Sequence, residues 1–368
     1  MKCIFTGGGT LGHTNPAIAV AQKIQEINSD TEILFVMREG GKENSAVTKR
    51  GFRMIEIPSS GLQRKCDLLG EIKTLKDAIF GISKSLKIIK SFKPDLIFGT
   101  GGYVSFAPLI AGLIKGIPTF VHESNSTPGL VTRIAVKLGA TPLVNMPETK
   151  SILKSKNECA IVGMPVLSDF RNITKKEARE TLGIPIDKIL IISFGGSGGS
   201  ATMNEIIMNS MSKCAIDGRR NILHIHATGE KYFADAKNKY FMLFKGMGGQ
   251  RIVPKIDNMN LYMCAADIVI CRCGAATLSE ISAVGRAAIL IPSPNVTDNH
   301  QYKNGKFFVD KDAAVMIEEK DLTEDLLTEK ITTLATSLEM RKRLENNILK
   351  LKKADAADVV ARILLNAR

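Results

Sequence analysis

The sequence predicts an α/β protein made of two doubly wound halves. Three observations predict it: short apolar runs alternate with longer amphipathic ones, the alternation starts twice with a strand that runs into glycines, and the chain has 368 residues. A compact domain holds about 100–200 residues, so two cores fit.

Residues 2–6 read as the first strand and lead into Gly7-Gly8-Gly9. Residues 16–27 read as a helix, with Ile18, Val20, Ala21 and Ile24 at helical spacing. Strands follow at 32–37 and 95–99, the second entering Gly101-Gly102. A helix at 108–115 and a strand at 118–122 continue the alternation. The join lies near 163–175, and the pattern then restarts. A strand at 188–194 ends in Gly195-Gly196-Ser197-Gly198-Gly199, and a helix covers roughly 201–213. Strands at 222–227, 250–253, 267–271 and 287–291 alternate with helices, and 339–365 closes the chain as one or two helices. Strand, loop and helix in repetition mark a parallel sheet with helices on both faces. Such sheets bind ligands outside the carboxyl ends of their strands, so two facing halves make a cleft.

Composition narrows the function. Hydrophobic residues make up 44% and charged residues 24%, which fits a globular protein and excludes disorder. The net charge of +13 calls for an anionic partner: nucleic acid, an acidic membrane surface or a phosphorylated substrate. Nucleic acid ranks low, because basic clusters there interleave with aromatics and this chain has only 5% aromatics and no Trp. The seven cysteines are odd in number and irregularly spaced, as expected for reduced thiols in the cytoplasm. Cys271-x-Cys273 is the one close pair; no second pair stands at ligand spacing, so no metal is expected. The N-terminal apolar stretch is too short for a signal peptide, and no window suits a membrane-spanning helix.

The glycine loops carry the chemistry. Gly7-Gly8-Gly9-Thr10-Leu11-Gly12-His13 ends the first strand and opens the first helix. Glycines let backbone N–H groups approach an anion, and a helix N-terminus favours negative charge, so the loop suits a phosphate or diphosphate. It is neither the strict dinucleotide fingerprint nor a P-loop. His13 inside it is a candidate general base; the plainer alternative is a histidine that braces the loop. His224 and His226 alternate along an apolar strand and read as structural. Gly99-Thr100-Gly101-Gly102-Tyr103 and the Gly195 loop are two further glycine loops at strand ends. Cys271-Arg272-Cys273-Gly274-Ala275-Ala276-Thr277-Leu278-Ser279-Glu280 reads as strand, small-residue turn and helix. Glu280 suits a ribose diol, or is simply an acid favoured by the helix dipole. Asp298-Asn299-His300-Gln301 offers amide and imidazole groups for sugar hydroxyls.

Seven segments in order make the chain resemble the MurG family of UDP-N-acetylglucosamine transferases, in glycosyltransferase family 28. They are Gly8-Gly9-Thr10-Leu11-Gly12-His13 with Pro16, Gly101-Gly102-Tyr103-Val104-Ser105, His122-Glu123-Ser124-Asn125 with Pro128-Gly129-Leu130, and Gly163-Met164-Pro165-Val166. In the second half they are the Gly195 loop, Cys271 through Glu280, and Pro294-Asn295-Val296-Thr297-Asp298-Asn299-His300-Gln301. The match spans essentially the whole chain.

The resemblance implies a GT-B fold, with an acceptor-binding, membrane-facing domain at 1–165 and a UDP-sugar domain at 166–368. The last helix, about 345–368, would pack back on the first domain. It implies inverting transfer of N-acetylglucosamine from UDP to the C4 hydroxyl of the N-acetylmuramic acid of lipid I, an undecaprenyl-diphosphate-linked acceptor, with no cofactor and no essential metal. His13 would be the base. Donor contacts would be Thr10, Leu11, Gly12, Asn125, Ser197, Ile256, Ala275, Ala276, Thr277, Leu278, Ser279, Glu280 and Gln301. Ser197 and its loop would take the diphosphate, Ile256 the uracil through its backbone, and Glu280 the ribose. Acceptor contacts would be Gly9, Gly101, Gly102, Tyr103, His122 and Glu123, with the lipid diphosphate on the first two glycine loops. Leu11 stands where the family usually has Gly or Ala. Met164 and Leu167 replace a family Asn and Arg, which leaves Arg171 as a substitute cation. These departures keep another lipid-linked acceptor, or a UDP-N-acetylglucosamine 2-epimerase, as alternatives.

Residues 61–93 hold Arg64, Lys65, Lys73, Lys76, Lys84, Lys87, Lys90 and Lys93 against three acids. Leu68, Leu69, Leu75, Ile79, Phe80, Ile82, Leu86 and Ile88 lie between them. Basic residues around an apolar patch suit an anionic bilayer surface, here the cytoplasmic face of the cell membrane; the plainer alternative is an amphipathic helix packed on its sheet.

Overall fold

The computed structural model describes all residues except 62–67, 171–172, 197, 217–220, 245–248, 352–354 and 368. Arg64, Lys65, Arg171 and Ser197 therefore lie outside the described residues, as do the side chains of Leu68 and Leu69. The chain forms two compact units, Met1–Leu167 with Lys353–Arg368, and Ser168–Lys352. The change of unit falls at 167/168 rather than 165/166.

Unit 1 runs β1 (Lys2–Thr6), α1 (Leu11–Ile27), β2 (Glu32–Arg38), α2 (Asn44–Thr48), β3 (Arg53–Ile57), α3 (Leu68–Phe92), β4 (Leu96–Gly99), α4 (Tyr103–Ile114), β5 (Thr119–Glu123), α5 (Leu130–Lys137), β6 (Thr141–Val144), α6 (Pro147–Ile152) and β7 (Ala160–Ile161). All seven strands are parallel, in the order β3-β2-β1-β4-β5-β6-β7. Parallel strands are covered on both faces, which is why they read as unbroken apolar runs. Phe35, Phe5, Phe98 and Phe120 fall at one register level across four neighbouring strands. Phe5 meets Phe35 and Phe98 at ring separations of 5.6 and 5.3 Å. Ile4, Leu34, Ile97 and Val121 belong to a second cluster, with Ile88, Ile89, Val104 and Leu109 from α3 and α4.

Unit 2 runs α7 (Lys175–Leu182), β8 (Ile189–Phe194), α8 (Ala201–Ile216), β9 (Ile222–Ala227), α9 (Phe233–Leu243), β10 (Gln250–Val253), α10 (Met259–Ala265), β11 (Ile268–Cys271), α11 (Ala275–Val284), β12 (Ala287–Leu290), α12 (His300–Val309), β13 (Val315–Met316), α13 (Glu324–Thr336) and α14 (Leu338–Lys350). Its parallel sheet is ordered β10-β9-β8-β11-β12-β13. The amino-terminal side of this sheet is held by ionic contacts. Buried Asp267 accepts from Lys175, Arg179 and the Leu190 amide at 2.5, 2.5 and 2.7 Å.

The final helix, α15 (Ala356–Asn366), returns to unit 1 and packs on α1, with Lys23 Nζ 3.9 Å from Asp355. The expected single return segment at 345–368 is thus divided, since α14 stays with unit 2. Asp355 starts the new helix by accepting from the amides of Ala357 and Asp358.

Candidate active site

In each sheet the strand order reverses once, between β1 and β4 in unit 1 and between β8 and β11 in unit 2. Loops leaving the two central strands diverge there and open a crevice at the carboxyl edge. The glycine motifs occupy these positions.

In unit 1 the loops after β1 and β4 interlock. Gly102 has φ +79°, and a Cβ on it would stand 2.1 Å from Gly8 O, so only glycine fits. His13 Nδ1 lies 3.0 Å from Thr100 O. A carbonyl only accepts, so in this bond Nδ1 carries the proton and the neutral ring presents Nε2 as a base. Thr100 Oγ1 donates in turn to His13 O at 2.6 Å, which fixes the helix start against the second loop. The ring thus braces the loop through Nδ1, which leaves Nε2 as the candidate base.

Thr10 caps α1 without a side-chain bond, and exposed Leu11 is its first helical residue. Leu11 is not among the residues of positive φ, so its side chain meets no backbone conflict. Gly9 departs from expectation, because its amide donates to the carboxylate of buried Glu43 at 2.5 Å. Nothing in the sequence singles out Glu43; in Glu39-Gly40-Gly41-Lys42-Glu43 it reads as a solvated turn acid.

Exposed Tyr103 opens α4. His122 and Glu123 end β5 and are buried. His122 Nε2 lies 2.8 Å from Gly163 O, and Glu123 accepts from the Asn125 and Gly129 amides and from Thr132 Oγ1 at 3.1, 3.0 and 2.7 Å. Their side chains shape the loop after β5, in which half-buried Asn125 donates its Nδ2 to Glu123 at 3.4 Å.

In unit 2 the loop after β8 brings Gly195, Gly196, Gly198 and Gly199 to the start of α8. Ser200 Oγ accepts from the Met203 amide at 3.4 Å and from Arg272 at 2.8 Å. Arg272, from the end of β11, also donates to the carbonyls of Ile291 and Pro292 and pairs with Glu319. One guanidinium therefore joins residues that follow four strands: β8, β11, β12 and β13. Sequence reading placed Arg272 in a motif without a task, and Glu319 not at all.

Gly274 starts α11 without a side-chain cap, which leaves the first amides of Ala275–Val284 to other acceptors. Ala275 and Leu278 are buried, so they could offer a ligand backbone rather than side chain; Ala276, Thr277, Ser279 and Glu280 are half-buried. Ile256 is buried just after β10. Gln301 Oε1 accepts from the Ser293 amide at 2.9 Å, which holds its side chain on the loop after β12. Just before it, Asp298 and Asn299 both adopt left-handed backbone, at φ 53° and 49°. Such conformations cost about 1–3 kcal/mol each and gather at ligand-binding loops. Cys271 and Cys273 are buried; burial pushes the Cys273 thiol up to about 12 and that of Cys271 well above the usual thiol range. Both pack as small apolar side chains.

Residues 3–141 match the glycosyltransferase family 28 N-terminal domain, and residues 190–362 match the glycosyltransferase family 28 C-terminal domain. A relative from Thermoanaerobacter sp. (strain X514) is 36% identical over 368 residues, covering 99% of both chains. Its name is UDP-N-acetylglucosamine--N-acetylmuramyl-(pentapeptide) pyrophosphoryl-undecaprenol N-acetylglucosamine transferase. A relative of the same name from Acetivibrio thermocellus is 38% identical over 339 residues, 91% of this chain and 89% of its own. Among solved structures, Acinetobacter baumannii MurG matches with a TM-score of 0.72 at 23% identity over 99% of both chains. The UDP-GlcNAc 2-epimerase from Neisseria meningitidis bound to UDP-GlcNAc also reaches 0.72, at 13% identity over 99% of this chain and 100% of its own. At those identities the structures speak for the GT-B fold alone. The family segments and the full-length relatives speak for descent: the chain belongs to glycosyltransferase family 28.

Proposed function

We propose that this protein transfers N-acetylglucosamine from UDP-N-acetylglucosamine to the C4 hydroxyl of the N-acetylmuramic acid of lipid I, with inversion. The observation that carries the chemistry is His13, held by Thr100 in the tautomer whose Nε2 accepts a proton. The relatives that match over 91–99% of the chain carry the substrate pair in their name.

In this reading unit 2 binds the donor. The diphosphate lies on the Gly195–Gly199 loop and the start of α8, with Ser197 among its contacts. The Ile256 backbone meets the uracil, Glu280 accepts from the ribose hydroxyls, and Ala275–Ser279 line the sugar. Gln301, with His300, reads the N-acetylglucosamine hydroxyls. Thr10, Leu11, Gly12 and Asn125 are assigned to the donor sugar, and Gly101, Gly102 and Tyr103 to the acceptor. His13 Nε2 removes the proton of the C4 hydroxyl as its oxygen attacks the anomeric carbon opposite the diphosphate. The bond from that carbon to the diphosphate oxygen breaks, and UDP leaves with its charge stabilised by loop amides and a helix N-terminus. Glu43 places a second anion beside Gly9, so the acceptor diphosphate fits the Gly101 side of the crevice better than the Gly9 amide.

α3 supports docking on an anionic bilayer. Leu75, Ile79 and Phe80 are 64%, 59% and 64% exposed, beside exposed Lys73, Lys76 and Lys84. Ile82 and Leu86 are half-buried and Ile88 is buried, so the latter half of the helix packs on its unit and the earlier half offers the surface. Among the described residues no helix is long and apolar enough to cross a membrane.

The deciding experiment is transfer of labelled N-acetylglucosamine to a lipid I analogue, with UDP release followed in parallel. Lipid-dependent transfer is expected. UDP binding with no transfer would reject lipid I as acceptor, and UDP-N-acetylmannosamine formed without lipid would make the protein an epimerase.

A further inference from the structure

Unit 2 holds a buried polar chain that no step above uses. Ser193 Oγ, on β8, lies 2.8 Å from His224 Nε2 and 2.9 Å from His226 Nδ1, both on β9. His226 Nε2 lies 3.0 Å from Asn204 Oδ1, on the first turn of α8. Asn204 Nδ2 donates to Thr228 O at 2.9 Å. All five residues are buried.

With both rings neutral, one arrangement of protons satisfies these four contacts, and it leaves the longer 3.3 Å approach of His226 Nδ1 to Ser193 O without a hydrogen bond. Asn204 must turn its amide nitrogen to the Thr228 carbonyl, so its oxygen faces His226. His226 Nε2 is then protonated, and its Nδ1 accepts from the Ser193 hydroxyl. That hydroxyl has spent its one proton, so it accepts from His224 Nε2–H. Both rings are neutral, as burial requires: it pushes His224 down to about 3 and His226 to about 4.

The chain ends where the donor loop is most constrained. Thr228 O is the atom that a Cβ on Gly199 would strike at 2.1 Å. A Cβ on Gly229 would stand 2.7 Å from Gly199 Cα and 2.9 Å from Gly198 O. The loop after β8 therefore rests directly on the backbone that Asn204 grips.

We infer that Asn204 and His226 are positioning residues for the donor's diphosphate: through Thr228 they fix the height and tilt of the Gly198-Gly199 peptides that meet it. This deepens the donor-site reading and rests on it. A buried side chain two contacts from the ligand acts here by holding a loop, and a shift of about 1 Å in such a loop can cost about a hundredfold.

Calorimetry with UDP, kinetics with separate donor and acceptor KM, and nitrogen-detected NMR of the histidine rings test it on the full chain. Wild type should bind UDP and show His226 protonated at Nε2, with its ring resonances moving on UDP saturation. Asn204→Ala should raise UDP Kd and donor KM by about tenfold or more and leave acceptor KM unchanged. His226→Gln keeps an N–H for Asn204 and should stay within about threefold; His226→Leu fills the space without a donor and should follow Asn204→Ala. Unmoved His226 resonances in UDP-saturated wild type would overturn the inference even if the variants fail to fold. So would unchanged donor KM in a folded Asn204→Ala, or Leu performing as well as Gln. Failure of wild type to bind UDP would instead remove the donor-site reading beneath it.

Discussion

In the proposed mechanism His13 depends on a neighbour, Thr100, that reads as an ordinary loop residue. The Thr100 carbonyl assigns the proton to Nδ1, and the proposed mechanism takes the remaining nitrogen, Nε2, as the base. His13→Ala should lower kcat by about a hundredfold to ten-thousandfold, the usual worth of a general base, while UDP affinity stays within about twofold. Wild-type turnover in that variant rejects the role. The histidines of β9 make a different prediction. Their folded pKa values lie below the unfolded value of about 6.5, so as pH falls the unfolded state takes up protons first. Stability should be unaffected above about pH 7 and then fall by about 1.4 kcal/mol per pH unit for each histidine, down to about pH 4. Urea midpoints at pH 7, 6 and 5 measure this, and a His224→Gln, His226→Gln double variant should flatten the profile. An identical slope in the double variant would assign the acid sensitivity elsewhere.

Among the elements, those that flank the site were the readable ones. β1 and β9 begin and end where the sequence predicts, because strands inside a parallel sheet read as apolar runs; β10 also matches its predicted bounds, although it is half polar and lies at the sheet edge. β3 was missed because Arg53-Met54-Ile55-Glu56-Ile57 alternates at a sheet edge and looks like a loop with two charges. β6 carries Pro142, which argues against a strand on sequence grounds, and β7 and β13 have two residues each. The site divides in the same way. Glycine loops are legible because only certain residues can make them, whereas helix starts are less so: α1 begins at Leu11 and α4 at Tyr103, each five residues before the proline at which the sequence places the helix. Glu43, Thr100, Asn204 and Glu319 are not, because their importance lies in which distant atom they reach. His122 and Glu123 show the converse: a segment typical of the family looks like a ligand contact, yet its side chains hold the loop. α3 was legible as both amphipathic helix and membrane surface, and the exposure of Leu75, Ile79 and Phe80 is what separates its two parts. Replacing those three with Ser should weaken binding to anionic vesicles by at least about tenfold, and leave transfer to a water-soluble acceptor analogue intact. Equal sedimentation of wild type with neutral and anionic vesicles would remove the lysines from the account.

At the scale of the molecule, α15 is the element that local reasoning serves least well. It follows all of unit 2 in sequence and completes unit 1, burying Val360 and Leu364. Leu364→Ala should cost about 2–5 kcal/mol, as buried leucines do, and the loss should appear in unit 1. Hydrogen exchange read by mass spectrometry distinguishes the units: α1 amides should lose protection while α8 amides keep theirs, and loss confined to α8 would contradict the assignment. The same connection sets an order of events during synthesis. Roughly 330 residues separate the end of α1 from the start of α15. At about 5–20 residues per second, a ribosome needs some tens of seconds to cover that distance. Throughout that interval the apolar flank of α1 has no native cover, so the half made first is finished last, and chaperone dependence should track α1 more than any segment of unit 2.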